Sequence, residues 1–357
     1  MWDCLGNPFY FNLVFFSANY YNKHSMSKKT YKKEKRETFG QKVVNFLLTI
    51  CVACLLGNQF CTAASSNLRI AQVSDIHFSS YEENTSYKFL KKSPQLLDDV
   101  IFQLNTSGSY DFVVFTGDLV NKPKVSELEK VLSHIKKLNY PWFAINGNHD
   151  IAFEGQLTKD KFRKILADNN SKMKLDKNYY AFSPKKGYRV ICLDSIIDYK
   201  LTSNGEISDI QLKWLKKELD SNKKNVVVIC THVPIDEPYN SSNHKLLNEY
   251  DVKSLLRSYT NPIIVLQGHY HCVRAVQDNN IIYITTPSLV TYPNAYRVIN
   301  INNNNKEVFV DVFLKETNLK DIQARSKMRL LGGDILYGEE TDRNTTFKIK
   351  LCKENKD

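Results

Sequence analysis

The chain has 357 residues, of which 42% are hydrophobic and 24% charged, a balance typical of globular proteins that excludes disorder. Its net charge is +11, but the first 63 residues hold eight basic and only three acidic side chains. The remaining excess is mild and spread out, so we expect no nucleic-acid partner, which would need a concentrated basic face.

The first 66 residues form a basic leader. A strongly basic stretch at 28–42 precedes a mostly apolar run at 43–57 and small residues at 61–66, the order found in secretory signals. The apolar run is shorter than the roughly 20 residues of a membrane-spanning helix. We therefore predict a signal peptide cleaved near Ala63 or Ala64 and an extracytoplasmic product that is secreted, periplasmic or membrane-anchored.

Several alternatives for the leader stay open. An uncleaved signal anchor would extend the apolar span to Ala64 and attach the protein to the membrane. Lipid attachment at Cys54 or Cys61, and a buried core helix at 43–56, are the other possibilities. Met26 would start a tidier leader than Met1, and the sequence leaves both starts open.

From residue 67 short apolar runs alternate with amphipathic stretches, which predicts an α/β or layered α+β domain. The elements expected in chain order are a strand at 68–74, a helix at 92–104, a strand at 111–116, a helix at 125–138, a strand at 142–145, a helix at 157–167, a hairpin of 179–183 and 188–193, a helix to 219 opened by a capping box at 208–211, a strand at 225–230, a helix at 246–258, a strand at 262–266, and short strands at 273–276, 281–285, 297–301 and 308–313. The pattern weakens beyond 315. We therefore predict a domain at 67–315 and a C-terminal extension at 316–357.

Five short polar motifs follow predicted strands. They are Asp75-Ile-His77, Gly117-Asp118, Gly147-Asn148-His149-Asp150, Thr231-His232 and Gly268-His269-Tyr270-His271. Ligands of layered sheets gather at the carboxyl ends of strands, so we expect the motifs to converge. Imidazole with carboxylate is the ligand mixture of Fe, Mn and Zn sites. The sequence therefore predicts a metal centre.

The spacing within the motifs suits two ions. Asp75 and His77 are two residues apart on an extended segment and can grip one ion, and His269 and His271 repeat that spacing. Asp118 follows a glycine in a tight turn, where its carboxylate could bridge two metals about 3.5–4 Å apart. Glycines at 117, 147 and 268 would allow sharp turns at these crowded positions.

The ordered set resembles the calcineurin-like metallophosphoesterase superfamily, whose pattern is D-x-H, G-D, G-N-H-D/E, H and G-H-x-H, over about residues 68–300. The resemblance implies a four-layer α-β-β-α sandwich with two divalent or trivalent ions, Fe, Mn or Zn. It implies one ion held by Asp75, His77, Asp118 and His271, and a second held by Asp118, Asn148, His232 and His269.

The same resemblance implies two catalytic residues. His149 would contact the phosphate and help to protonate the leaving oxygen, and Asp150 would orient His149 by accepting a hydrogen bond from its imidazole. The implied activity is hydrolysis of small phosphomono- or phosphodiesters, with a water molecule activated by the metals as the nucleophile. His24, His134 and His244 lie outside every motif, and we expect them to be ordinary surface residues.

A finer resemblance links residues 193–195, 205–215 and 286–288 to the class III cyclic nucleotide phosphodiesterase group. Export would separate the enzyme from a cytosolic second messenger, which favours a general phosphoesterase over a cyclic nucleotide phosphodiesterase. Two further alternatives are a non-catalytic binding module on the same fold and a nuclease. The intact ligand set disfavours the first. The second would need a basic groove or a DNA-capping domain, and the weak pattern at 315–357 gives no sign of either. The oligomeric state stays open.

Overall fold

A computed structural model describes residues 66–173, 175–304, 306–330 and 333–351. The predicted leader, its cleavage site, both candidate starts and His24 lie outside these ranges. Within the described residues no helix combines the length and apolarity needed to cross a membrane.

Two six-stranded sheets make up the centre of the described chain. Their strands are β1 Ser66–Val73, β2 Phe112–Thr116, β3 Trp142–Ile145, β4 Tyr180–Phe182, β5 Tyr188–Cys192, β6 Val226–Cys230, β7 Ile263–Gln267, β8 Arg274–Asp278, β9 Ile281–Thr285, β10 Ala295–Asn303, β11 Glu307–Glu316 and β12 Asn344–Lys350. The first sheet has the order β12-β11-β10-β1-β2-β3, and the second has the order β4-β5-β6-β7-β9-β8.

The parallel part of each sheet explains why the motifs meet. Strands β1, β2 and β3 run parallel, as do β5, β6, β7 and β9. Strands β2, β6 and β7 are buried along their whole length, as expected where both faces of a parallel sheet are covered. The carboxyl ends of these strands therefore lie at one edge of each sheet.

The two sheets pack face to face over one apolar core that draws residues from both. Gln72 of β1 donates from its side-chain amide to the carbonyl of Gln267 on β7 (3.0 Å), and Phe112 of β2 meets Phe182 of β4 at 5.5 Å between ring centroids. The motif-bearing strand ends of the two sheets are thereby brought to the same side of the molecule.

Helices cover the sheets, as the predicted mixed α/β sandwich requires. They are α1 Ser93–Thr106, α2 Val125–Ile135, α3 Lys159–Asn169, α4 Asp209–Ser221, α5 Glu249–Arg257, α6 Lys320–Arg329, α7 Gly333–Tyr337 and α8 Glu340–Arg343. In α1 the buried residues Leu97, Val100, Ile101 and Leu104 recur at helical spacing and form one apolar stripe against the core. The layered α/β prediction is confirmed.

Helix ends differ from the predictions where a cap or a turn decides them. The helix predicted at 157–167 begins at Lys159, because the Thr158 hydroxyl caps it by accepting from the Lys161 amide (3.3 Å). Ser208 caps α4 as expected. A full capping box would also need the Gln211 side chain to bond back to the Ser208 amide, and this part of the prediction is wrong. The Gln211 side chain pairs instead with the backbone amide and carbonyl of Asp194 (2.9 and 2.7 Å).

His134 is not the ordinary surface residue that we expected. Its Nδ1 lies 2.7 Å from Oδ1 of Asp98, and its ring packs against Phe78 at 5.3 Å between centroids. The side chain is only 19% exposed. It joins α1 to α2 beneath the loop that follows β1.

The C-terminal extension contributes to the first sheet, because β12 pairs antiparallel with β11 at the edge. Arg297 of β10 is fully buried, and it donates to the carbonyls of Arg343 on α8 (3.0 Å) and Thr285 on β9 (3.3 Å). One side chain therefore joins both sheets to the C-terminal extension.

Candidate metal centre

The loops after the strands hold their ligand residues in an unusual backbone conformation. Positive φ angles occur at five of the predicted ligands, namely Asp75 (51°), His77 (43°), Asp118 (50°), His269 (70°) and His271 (52°). Non-glycine residues rarely adopt this left-handed region, and such strain is concentrated at functional sites. The strained backbone at these five positions therefore marks the loops at the strand ends as a candidate functional site.

The first ligand group consists of Asp75, His77, Asp118 and His271, whose ligand atoms all lie within 4.8 Å of one another. The Nε2 atoms of His77 and His271 are 3.0 Å apart, and Nε2 of His271 lies 3.2 Å from Oδ1 of Asp75. Oδ2 of Asp118 is 3.5 Å from Nε2 of His77. Two imidazole nitrogens and two carboxylates thus face one point, which suits a cation.

The second group consists of Asp118, His232 and His269. Nε2 of His232 lies 3.1 Å from Nδ1 of His269 and 3.5 Å from Oδ1 of Asp118. The amide oxygen of Asn148 approaches the same nitrogen at 3.2 Å. Asn148 therefore joins this group, and the two predicted sets of four ligands are each brought together.

Asp118 belongs to both groups through different oxygens. Its Oδ2 faces His77 in the first group, and its Oδ1 faces His232 in the second. The backbone amide of His149 donates to Oδ1 (2.8 Å) and fixes the carboxylate in this orientation. This is the arrangement expected of a carboxylate that bridges two closely spaced ions.

Hydrogen bonds at Asp75 and His232 set which atom of each side chain faces the other ligands. Oδ2 of Asp75 accepts from the Ser74 hydroxyl (2.6 Å) and the His269 amide (3.0 Å), whereas its Oδ1 is buried without a hydrogen bond. Nδ1 of His232 donates to the carbonyl of Thr116 (2.8 Å), so its Nε2 is the ring nitrogen that faces Asn148 and His269. A buried acceptor without a partner is costly, and a cation would supply the partner. The residues present therefore fit two metal ions.

Glycine is required where the loops cross most closely. A Cβ on Gly147 would lie 2.2 Å from both the amide nitrogen and Oδ1 of Asp118, and a Cβ on Gly117 would lie 2.4 Å from Nδ1 of His232. Gly117 also has a φ of 91°. Of the two, only Gly117 needs the backbone freedom that the sequence suggested, whereas Gly147 is needed because two loops touch.

Comparison with known proteins agrees with this geometry. Residues 68–273 match the sequence profile of the family described as calcineurin-like phosphoesterase. The chain belongs to this family.

Among relatives of this phosphoesterase, a probable glycerophosphodiester phosphodiesterase of Arcobacter nitrofigilis is 28% identical over 225 residues, which cover 61% of this chain and 77% of the relative. A probable cyclic nucleotide phosphodiesterase of Psychrobacter arcticus is 24% identical over 228 residues, which cover 62% and 80%. A dimetal phosphatase of Danio rerio superposes with a TM-score of 0.57 at 16% identity, covering 79% of this chain and 98% of that structure. The protein is thus a metal-dependent phosphoesterase whose ligand groups fit a binuclear centre, and Mn, Fe or Zn are the ions that its family uses.

Protonation of the ligands suits metal binding. Burial lowers the pKa of His77 and His269 well below the usual histidine value and also lowers that of His271, so these imidazoles are neutral donors. His232 differs. Burial lowers its pKa, but the neighbouring Asp118 carboxylate outweighs burial and raises it to about 9. An ion at the second group must therefore displace a proton from His232.

His149 lies beside the centre without joining either group. Its ring meets the His77 ring edge-on at 4.6 Å, and its Nδ1 donates to the carbonyl of Asn121 (2.7 Å). Its other nitrogen, Nε2, is thus available to a substrate.

The prediction that Asp150 orients His149 is wrong. The buried Asp150 carboxylate accepts instead from the backbone amides of Val120 (2.9 Å) and Gly147 (2.8 Å). Burial, reinforced by Asp118, raises its pKa to about 7. Asp150 therefore holds the turn that presents Asn148 and His149, whereas the Asn121 carbonyl orients the imidazole.

A cavity of about 240 Å³ opens over the two ligand groups. Besides predicted site residues, its lining includes Lys88, Ser203, Tyr239, His244 and Tyr270. His244 is exposed, as expected, but it also lines this cavity, and its ring centroid lies 5.3 Å from that of His269. The sequence carried no signal for Lys88 or His244, since both lie in polar loops outside every motif.

The residues that carried the finer resemblance have structural roles. The Ser288 hydroxyl donates to the Asp75 carbonyl (2.7 Å), and the Ser195 hydroxyl accepts from the Val233 amide (3.0 Å) beside His232. Asp194 accepts from the side-chain amide of Asn146 (3.0 Å). These contacts support the ligand loops and touch no part of the cavity that would select a substrate.

Proposed function

We propose that the chain hydrolyses small phosphomono- or phosphodiesters at the binuclear centre. The observation that carries this proposal is Asp118, which offers one oxygen to each of two complete ligand groups. When bound, the ions would supply positive charge to the phosphoryl oxygens and lower the pKa of a water nucleophile. A non-catalytic binding module would not need His149 beside an intact ligand set.

The residues of the chain itself would bind and orient the ester. His149 stands where its Nε2 can donate a hydrogen bond to the leaving oxygen, and the Asn121 carbonyl keeps Nδ1 occupied. The amide of His149 fixes Asp118, so the proton donor and the bridging ligand are held by one turn. This coupling supports acid assistance to a leaving group on the side of the centre nearest His77.

A second groove supports substrates with two substituents on phosphorus. It shares Asn148, His149 and Ser203 with the cavity, and it runs past the apolar side chains of Phe153 and Leu201. Both of these side chains are exposed. A diester could place one arm in the cavity and the other in this groove, which fits the relatives named as phosphodiesterases. Cyclic nucleotide hydrolysis is the second candidate, favoured by the name of the Psychrobacter arcticus relative.

Turnover of a small ester panel tests the proposal. We expect the purified chain to hydrolyse p-nitrophenyl phosphate or bis-p-nitrophenyl phosphate when Mn²⁺ is present and to lose that activity in EDTA. Including 3′,5′-cyclic AMP in the panel separates the second candidate from the general one. Two bound ions per chain without turnover of any ester would favour the binding module.

We further propose that the enzyme is exported. The basic and apolar leader, followed by small residues near Ala63, supports this. We expect N-terminal sequencing of the protein from an extracytoplasmic fraction to start close to Ala64. Recovery from the cytosol with an intact leader would contradict export and would strengthen the cyclic nucleotide candidate, because a cytosolic second messenger would then be accessible.

A further inference from the structure

Lys88 is a buried cation that faces the centre. Its side chain lies on the loop between β1 and α1, is 7% exposed, and lines the cavity. Its ammonium is 3.4 Å from Nδ1 and 3.3 Å from Nε2 of His77. Because these distances are nearly equal, the ammonium is not aimed at Nε2 alone, the nitrogen that lies 3.0 Å from Nε2 of His271.

The ammonium has no carboxylate within ion-pair distance among the described residues, which is unusual because a buried charge is costly unless paired. Burial lowers the pKa of Lys88 below the usual lysine value, and the more distant carboxylates of Asp118, Asp75 and Glu82 offset this only in part. Asp118 and Asp75 are also ligands of the centre. Metal ions bound to Asp118 and Asp75 would neutralise the charge of these carboxylates, so Lys88 would then lack a counter-charge within the protein.

We propose that Lys88 is a phosphate-binding residue whose ammonium contacts a non-bridging oxygen of the phosphoryl group at the centre. The substrate would thereby bring the missing counter-charge. A third cation beside two metals favours a dianionic phosphate over a monoanionic one, because the Coulomb energy grows with the charge of the ligand. The proposal rests on the proposed function only in taking the ligand to be a phosphoryl group.

The C-terminal extension holds this loop in place. The Lys88 amide donates to the Thr85 hydroxyl (2.8 Å), and Arg329 of α6 donates to the Thr85 carbonyl (3.1 Å). The Arg329 guanidinium also lies 4.8 Å from the centroid of the Phe89 ring. Arg329 thus acts as a positioning residue for the loop that carries Lys88, although it lies outside residues 68–273, which match the family profile.

Binding of inorganic phosphate to the Mn²⁺-loaded protein tests the proposal without turnover. In Lys88→Gln we expect the dissociation constant from calorimetry to rise about 10- to 100-fold, the effect of losing one hydrogen bond to a charged group. Lys88→Arg should keep most of the affinity, because it keeps the charge. Lys91→Gln is the matched control, since Lys91 lies on the same loop but is 62% exposed and paired with Glu83.

Metal content and ester preference complete the test. We expect Lys88→Gln to bind as many ions as the wild type and to lose more kcat/KM on p-nitrophenyl phosphate, a dianion, than on bis-p-nitrophenyl phosphate. Equal phosphate affinity in Lys88→Gln and Lys91→Gln, or loss of metal from Lys88→Gln, would overturn the proposal. If no ester is turned over and Lys88→Gln still binds phosphate weakly, the proposed function fails while the assignment of Lys88 stands.

Discussion

Asp118→Asn is expected to lower kcat/KM for any accepted ester by about a thousandfold, the upper end of the loss seen when one preorganised electrostatic contact is removed from an active site. The amide keeps one oxygen, so it can face only one of the two ligand groups. Its nitrogen would face either His77 or His232, where Asp118 now presents an oxygen at 3.5 Å. Metal analysis of the dialysed variant should show fewer ions per chain than the wild type.

The control for this variant is Asp98→Asn, which makes the same chemical change at a half-exposed carboxylate paired with His134 and Lys137. It should keep both metal content and turnover. If Asp118→Asn retained two tightly bound ions and wild-type turnover, Asp118 would not be the bridge, and the two ligand groups would act independently.

The metal centre could be predicted from the sequence because its ligands follow strands at fixed spacing. Asp75 with His77, and His269 with His271, lie two residues apart just after buried apolar runs. Parallel pairing of these strands with their neighbours places such strand ends at the same edge of each sheet. Once the two sheets pack face to face, the predicted ligands have little freedom to lie elsewhere. The structure brings the predicted ligands together around Asp118 for this reason.

Lys88, His244 and the role of Asp150 could not be predicted, because each depends on contacts between loops. Lys88 lies on a loop that is held by a contact between Thr85 and Arg329, and these two residues are far apart in sequence. Asp150 is adjacent to His149, yet its carboxylate points back to the amides of Val120 and Gly147. The sequence places Asp150 next to His149, but it does not show which way the Asp150 carboxylate points.

The C-terminal extension shows a related limit. Its hydropathy pattern is weak because β12 is an edge strand with alternating partial exposure, and only Ile349 of that strand is fully buried. An edge strand needs few apolar residues, so periodicity alone could not reveal that it belongs to the first sheet. The position of β12 follows from its antiparallel pairing with β11, which has more buried residues, and not from its own sequence pattern.

His149→Gln is expected to reduce kcat by about a hundredfold or more on esters with poor leaving groups, the usual contribution of a positioned proton donor. Glutamine can hydrogen-bond to the substrate but cannot transfer a proton to the departing oxygen. The backbone amide of residue 149 still donates to Asp118 after the substitution, so the bridging carboxylate stays in place. Metal content measured on the variant should therefore match the wild type.

The dependence on the leaving group separates acid assistance from mere binding. p-Nitrophenolate departs readily without a proton, so His149→Gln should cost much less on p-nitrophenyl phosphate than on an alkyl ester such as glycerol phosphate. His244→Gln makes the same change at the cavity rim, and we expect it to affect both leaving groups alike. An equal loss on the two esters in His149→Gln would show that His149 binds the phosphoryl group without protonating the leaving oxygen. A steep dependence would identify the imidazole beside the Asn121 carbonyl as the proton donor.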